Sequence, residues 1–447
     1  MKTAAFAIFD VGKTNKKLLL FDEEFQPIEE QSQTFPETSD ADGFPCDDLG
    51  LLNSWLLDHW ENLRLRSDIV LKGVNFSAYG ASFVHLDAQG TAIGPLYNYL
   101  KPLSTELQTQ LYADIQQHDG QDQDAFAAIT CSPIMGMLNS GLQLYWLACT
   151  QPEAFQHIKT ALHLPQYLSY LLSGEKFSDF TSLGCHTALW DFQTGAYHPW
   201  VKRWGIEEKL APITKDPIAT VKDGVMIGVG LHDSSAALLP YLLRGKEKEP
   251  FLLLSTGTWC INLNPFNEEH LSPQALRCDC LAYLTPKGNP VKASRIFFGR
   301  EHDHQVERIA QHYGVELGFY KKLNGREQVS LQSGFVPACM EGTGPVLGLQ
   351  NGNWDFSTCP DAISAYYSLM RGLMDLLKTS IELVDNGVPK FYVDGGFAKN
   401  PIFMNMLAAD FPNKEIEALE FHQATALGAL MHLKNGQAFQ QSMPLFT

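Results

Sequence analysis

Asp233 sits in Gly230-Leu231-His232-Asp233-Ser234-Ser235-Ala236-Ala237-Leu238, where an apolar run from Val225 breaks at glycine, presents His-Asp and continues into a helix start of small residues. A carboxylate at a strand end, close to helical amides, is placed to accept a hydroxyl proton during phosphoryl transfer, a reaction in which positioning and electrostatics do most of the work. The same position also suits a helix N-cap. Asp10 closes another apolar run, Phe6-Ala7-Ile8-Phe9. A carboxylate there can hold Mg²⁺, commonly through waters, because that ion keeps part of its hydration shell. The turn Gly12-Lys13-Thr14-Asn15 follows it, and Thr256-Gly257-Thr258 follows Phe251-Leu252-Leu253-Leu254-Ser255. In both turns glycine lets the backbone come close to a phosphate, and Thr14, Thr256 and Thr258 add hydroxyls. A Gly-Thr turn is equally an ordinary hairpin turn, and a strand-end Asp an ordinary capping residue.

The elements that must carry these residues repeat. Phe6 to Asp22 is two short apolar runs about a polar glycine turn, the pattern of a β-hairpin, and Phe251 to Leu263 repeats it about 245 residues later. Each hairpin is followed at a distance by a helix and a strand ending in glycine: Val74-Asn75-Phe76-Ser77-Ala78-Tyr79-Gly80 in the first half, Lys390-Phe391-Tyr392-Val393-Asp394-Gly395-Gly396 in the second. Self-similarity at this range predicts a duplicated α/β domain rather than a short-period solenoid. Helices are expected from Asp361 through Val384, where apolar residues recur near the 3.6 period, from Pro401 through Phe411, and over Leu138 to Ala148 and Pro165 to Leu172. The charged run Arg244-Gly245-Lys246-Glu247-Lys248-Glu249-Pro250 is the expected boundary, giving domains 1–245 and 246–447.

Composition limits the partners. The 447 residues carry 33 basic and 50 acidic side chains, a net charge of −17, which argues against a sequence-independent grip on nucleic acid or an anionic membrane. With 45% hydrophobic and 19% charged residues the chain is globular, and no stretch has the roughly 18 to 20 apolar residues that span a bilayer. Nine cysteines without a CxxC pair or zinc spacing read as reduced thiols of a cytoplasmic protein. The apolar start is cut short by Asp10 and Lys13, so a mature cytoplasmic N-terminus is expected. Two nucleotide motifs are absent: Gly12-Lys13-Thr14 has Ala7 where a P-loop needs glycine, and Gly342-Thr343-Gly344-Pro345-Val346-Leu347-Gly348 lacks dinucleotide spacing.

Four segments in order resemble the FGGY carbohydrate kinases. Asp10-Val11-Gly12-Lys13-Thr14-Asn15-Lys16-Lys17 resembles the first phosphate motif, and Leu254-Ser255-Thr256-Gly257-Thr258-Trp259 the second. Val393-Asp394-Gly395-Gly396-Phe397-Ala398-Lys399-Asn400-Pro401 is similar to the adenosine motif, and Gly230 to Ala236 to the segment of the catalytic base. The resemblance implies two duplicated ribonuclease-H-like α/β domains of the actin and sugar-kinase superfamily, with an interdomain cleft. It implies Asp233 as catalytic base, Asp10 and Asp233 at Mg²⁺, and ATP held by Asp10, Gly12, Lys13, Thr14, Asn15, Lys17, Thr256, Gly257, Thr258, Gly395, Gly396 and Asn400. The sugar would meet Gly80, Ala81, Ser82, Tyr99, Asn139, His232 and Asp233. Pro95-Leu96-Tyr97-Asn98-Tyr99-Leu100-Lys101-Pro102 and Met137 to Leu144 are most similar to the rhamnulokinase and fuculokinase branch, which implies a ketose such as rhamnulose or fuculose. Lys13 stands where a small residue is usual, Gln143 where a lysine is common, and Gly80-Ala81-Ser82 departs from xylulokinase-like members. A small sugar is the expected partner, without nucleic acid or membrane, and a homodimer is the oligomer left open. An actin-like or chaperone-like ATPase and a non-catalytic sugar sensor are the alternatives.

Further residues have two readings. Tyr79, Phe83, Tyr97 and Tyr99 could bound a sugar or pack in a core, and Asn98 and Asn139 could bind hydroxyls. His302-Asp303-His304 suggests a metal but nothing nearby completes a ligand set, so a solvated turn is expected. Cys278-Asp279-Cys280 is expected to be structural, and Trp190-Asp191-Phe192 a hairpin near a cleft residue, His186.

Overall fold

The computed structural model describes residues 2–243 and 249–434. The chain packs into two units. Among the described residues, the first holds the chain up to Leu243, the short segment Ala282–Asn289 and everything from Phe421 onward; the second holds the rest. Most of the charged run expected to separate the domains, 244–248, lies outside the described residues.

The first unit is built on β1 (Thr3–Val11), β2 (Asn15–Phe21), β3 (Pro27–Thr34), α1 (Leu49–Leu65), β4 (Ile69–Ala78), β5 (Val225–Gly228), β6 (Leu231–His232) and α2 (Asp233–Leu243). Its sheet runs in the order Ile218–Lys222, β5, β4, β1, β2, β3, with β6 also paired to β4. β1, β2 and β3 are antiparallel neighbours, and β4 lies parallel to β1, β5 and β6. β1 is buried on both faces along Ala5 to Phe9, which is why it reads as a continuous apolar run. Phe9 stacks on Phe76 of β4 and meets the edge of Trp55 from α1. The helix Ala424–Leu433 packs on the same sheet, where the buried Asn75 donates to Ala429 O at 2.8 Å.

The second unit repeats the scheme with β7 (Phe251–Thr256), β8 (Cys260–Asn264), β9 (Pro290–Ile296), α3 (Phe298–Tyr313), α4 (Ala362–Glu382), β10 (Lys390–Gly395), α5 (Pro401–Asp410) and β11 (Glu415–Ala418). The strand path is β9, β8, β7, β10, β11, with Cys280–Leu284 beyond β9. β7, β8 and β9 are antiparallel and β10 and β11 follow in parallel, so the order of the first sheet recurs. The expected duplication is present, and both glycine-ended strands lie beside the first strand of their hairpin. α4 starts at Asp361, whose carboxylate accepts from Ser364 N at 2.7 Å, and its apolar face is buried from Ala362 to Ile381.

Two local expectations change. His302 and His304 lie on α3 rather than in a solvated turn, because Phe298, His302, Val306 and Ile309 fall on its buried face. The helix expected at Leu138 begins at Gly141, after a 3₁₀ turn Gly136–Leu138 and Asn139, whose side chain bonds Met135 N and His186 O. Trp190–Asp191 does pair with Ala196–Tyr197 as a hairpin. Cys278 and Cys280 are free and buried, while Asp279 between them binds the Arg295 guanidinium at 2.6 Å.

Candidate active site

In the first unit the carboxyl ends of three parallel strands are level. Asp10 stands opposite Ser77 across β1 and β4, and Leu231 opposite the same Ser77 across β4 and β6, with His232 beside Ala78. Asp10 and the start of α2 therefore meet at the edge where open α/β sheets bind ligands. Burial, and next to it the charge of Asp233, push the Asp10 carboxyl up to about 6; Lys17, opposite Asp10 on β2, acts the other way. The two carboxylates are near enough to repel.

Asp233 is the first residue of α2, and its Oδ1 accepts from Ser234 N at 2.5 Å and Ser234 Oγ at 3.2 Å. It remains partly exposed beside the buried His232, whose Nε2 is 3.2 Å from Oδ1. His232 is held by Ser235 Oγ at Nδ1, Cys185 Sγ near Nε2 and Thr181 Oγ1 at its backbone N–H. Burial drives its pKa down, so the ring is neutral near pH 7. Gly80 is required here: a Cβ would lie 2.7 Å from Cys185 Sγ and 2.9 Å from His232 Cδ2. Tyr99 is half-buried against Tyr79, and burial raises its phenol, with Lys13, Asp47 and Asp233 among the charges acting on it. Ala81 and Ser82 are buried between these groups and the helix Leu164–Ser173.

Among the first-turn residues, Gly12 N closes the turn on Asn15 O, and Thr14 and Asn15 are exposed. Lys13 does not extend toward a phosphate: its ammonium is bound by Asp47 at 2.7 Å and Glu37 at 3.1 Å. Asp47 also accepts from the buried Lys16 at 3.1 Å and from Tyr79 OH at 2.7 Å. Lys17, by contrast, remains partly exposed, paired with Glu30 at 3.1 Å. Asn139 is not available for a sugar either, since it is buried, accepts from Met135 N at 2.9 Å and donates to His186 O at 2.8 Å. Asn98 is spent on Pro45 O and Leu100 N.

In the second unit a cavity of about 540 Å³ takes in Gly257, Thr258, Gly396 and Asn400 together with residues the sequence did not single out, Gly299, Tyr320, Lys321 and Lys399. Gly257 and Thr258 are exposed. Thr256 does not line it; its hydroxyl donates to Asp394 O and accepts from Phe397 N, tying the end of β7 to the turn after β10. Gly395 has φ +86°, and a Cβ there would fall 1.8 Å from Thr256 O, so no other residue fits. Asn400 caps α5 through Oδ1, to Ile402 N at 3.0 Å and Phe403 N at 3.3 Å, and donates through Nδ2 to Tyr366 OH at 2.8 Å. Tyr366 OH is 3.2 Å from His302 Nε2, and His302 Nδ1 is 2.9 Å from Asp303 Oδ1. Tyr320 stacks on Tyr366 at 5.0 Å. Asn400 and His302 thus build an aromatic wall. Among the described residues no group of three or more His, Cys, Asp and Glu could hold a metal.

The family model for the N-terminal domain of the FGGY family of carbohydrate kinases matches residues 5–238, and that for the carbohydrate kinase FGGY C-terminal domain matches 248–441. The chain belongs to the FGGY family of carbohydrate kinases. As an FGGY kinase it is an ATP-dependent carbohydrate kinase with the two-domain architecture of the actin and sugar-kinase folds. It is 23% identical over 455 residues, 96% of this chain and 89% of the relative, to a protein of Pasteurella multocida named "Probable L-xylulose kinase". A solved carbohydrate kinase from Novosphingobium aromaticivorans is 26% identical with a TM-score of 0.79, covering 98% of this chain and 92% of that one. A ligand-bound xylulose kinase from Lactobacillus acidophilus shares the fold at 14% identity and a TM-score of 0.71, with 98% and 90% covered. No helix among the described residues is long and apolar enough to cross a membrane.

Proposed function

We propose that this FGGY kinase transfers the γ-phosphoryl group of ATP to a hydroxyl of a small ketose, with Asp233 as the base. The observation that carries the reading is the pairing of Asp10 and Asp233 at the level strand ends, where burial and mutual repulsion push Asp10 up to about 6. Asp233 takes the proton from the sugar hydroxyl as the bond to phosphorus forms and the bond to ADP breaks. Neutral His232 stands beside it, and Gly80, Ala81, Ser82 and Tyr99 bound the sugar. In the first unit Thr14, Asn15 and Lys17 are the phosphate candidates; in the second the exposed Gly257-Thr258 turn is, and the cavity with Tyr320, Gly396 and Asn400 takes the nucleoside. Two mutually repelling carboxylates fit Mg²⁺, which is held by one or two carboxylates plus substrate phosphates and waters. Asp10 and Asp233 would hold it, and when bound it neutralises phosphate charge. The first unit, which takes back Ala282–Asn289 and the chain from Phe421, would then bind the sugar and the second unit the nucleotide.

The ketose class rests on two supports. The segments around Tyr97 and Asn139 resemble rhamnulokinases and suggest rhamnulose or fuculose, whereas the curated relative is named for L-xylulose. All three are ketoses. A panel of L-xylulose, rhamnulose, fuculose, gluconate and glycerol in a coupled ADP-release assay tests the reading, with turnover expected for a ketose. Turnover confined to gluconate or glycerol would overturn the ketose assignment, and ATP hydrolysis indifferent to every sugar would overturn the base assignment.

A further inference from the structure

Ala81 has φ +58°, a left-handed conformation that strains a residue with a Cβ. It follows Gly80 on the chain leaving β4, in the segment proposed to meet the sugar. Two hydrogen bonds pin this segment: Ala81 O accepts from Gln143 Nε2 at 2.6 Å, and Ser82 O accepts from Leu164 N at 3.1 Å. Gln143 lies on the helix Gly141–Thr150, is 1% exposed, and donates its other N–H to Met137 O at 2.9 Å. Its Oε1 has no hydrogen-bond partner among the described residues.

A buried amide with its acceptor unused is a poor way to fill a core position, where a leucine would carry no polar atom of its own to leave unpaired. What Gln143 supplies that leucine cannot is a pair of donors reaching two carbonyls, one of them on the strained residue. We propose that Gln143 is a positioning residue for sugar binding: it holds Ala81 in its left-handed conformation and so sets the shape of Gly80-Ala81-Ser82. The inference rests on the kinase reading.

The chemistry separates the variants. Lysine has donors and no acceptor, so Gln143→Lys keeps what the two carbonyls require and removes the orphan oxygen. Gln143→Leu removes both donors. Steady-state kinetics with the best ketose should give Gln143→Leu a sugar KM raised about tenfold, with the ATP KM within about twofold of wild type. Gln143→Lys should keep the sugar KM near wild type but lower the urea midpoint, because its ammonium is buried without a counter-charge. Adding Ala81→Gly to Gln143→Leu should recover part of the lost sugar affinity, because glycine takes φ +58° without strain. If Gln143→Leu does not fold, Gln143→Asn, one methylene shorter, should show the same selective rise in sugar KM. An unchanged sugar KM, an equal rise in both KM values, or failure of both lysine and the glycine double variant to restore it would overturn the proposal. Wild-type enzyme inert with every sugar would overturn the kinase reading and this one together, whereas an active wild type with an indifferent Gln143→Leu overturns this one alone.

Discussion

Nε2 of His232 lies 3.2 Å from Oδ1 of Asp233. The ring is buried and neutral, so the contact orients the carboxylate without neutralising it. Asp233→Asn keeps shape and volume but cannot take a proton. Sugar-dependent ADP release should fall by about 10² to 10⁴-fold, while ATP affinity measured by calorimetry without Mg²⁺ stays near wild type. A variant that turns over at close to the normal rate would remove Asp233 from the base role.

Gly395 tests the nucleotide half separately. A Cβ at this position collides with Thr256 O at 1.8 Å, and φ +86° adds strain. Gly395→Ala should force apart the junction of β7 and β10 that Thr256 ties, weakening ATP binding more than tenfold by the loss of about 1.4 kcal/mol or more. Equal ATP affinity in the folded variant would show that this close approach has no part in nucleotide binding.

Asp47 should matter to stability well beyond its exposure. It answers the buried ammonium of Lys16, a second lysine and the Tyr79 hydroxyl, and these hold its carboxyl below the usual range against the opposing effect of burial. Asp47→Asn leaves Lys16 without a counter-charge and should cost about 3 to 5 kcal/mol in urea denaturation. Glu37→Gln, at the exposed end of the same cluster, should cost at most about 1 kcal/mol. Comparable losses in the two would contradict the buried-pair account.

Burial drives His85 and His432 down to about 4 and His163 down to about 3, from 6.5. Each ring gains a proton more readily once unfolded, so this contribution to stability is complete above pH 6.5, falls as the pH drops toward the folded values, and falls no further below them. Each could withdraw on the order of 3 kcal/mol at the acid end. The urea midpoint should therefore be lower at pH 5 than at pH 7. His85 Nε2 has no partner, so His85→Leu should reduce that difference without loss at pH 7; an unchanged pH dependence would rule His85 out as a contributor.

The doubled hairpins were legible because each opens with a buried, mostly apolar strand that ends in a small polar turn, and the chain through β4 and β10 runs on to a glycine. Side-chain destinations were less legible. Lys13 and Asn139 have the right types in the right motifs, yet each is spent on partners within the protein: a carboxylate 34 residues away for Lys13 and two backbone groups for Asn139. Such partners are set by tertiary packing and leave no mark in local spacing. Asp47 and Gln143 escaped as functional candidates for the same reason. His302 was readable: Phe298, Val306 and Ile309 at helical spacing place it on a buried face, and the histidine pair distracted from that period.

The return of Ala424–Leu433 to the first unit has a consequence for synthesis. Asn75 waits for a carbonyl 354 residues farther along, so the first sheet leaves the ribosome with one face unfinished. It cannot take its final form until nearly all of the second unit has been translated. Ordered, one-domain-at-a-time maturation is closed to this chain, and a nascent chain halted before residue 424 should depend on chaperones to shield that apolar face.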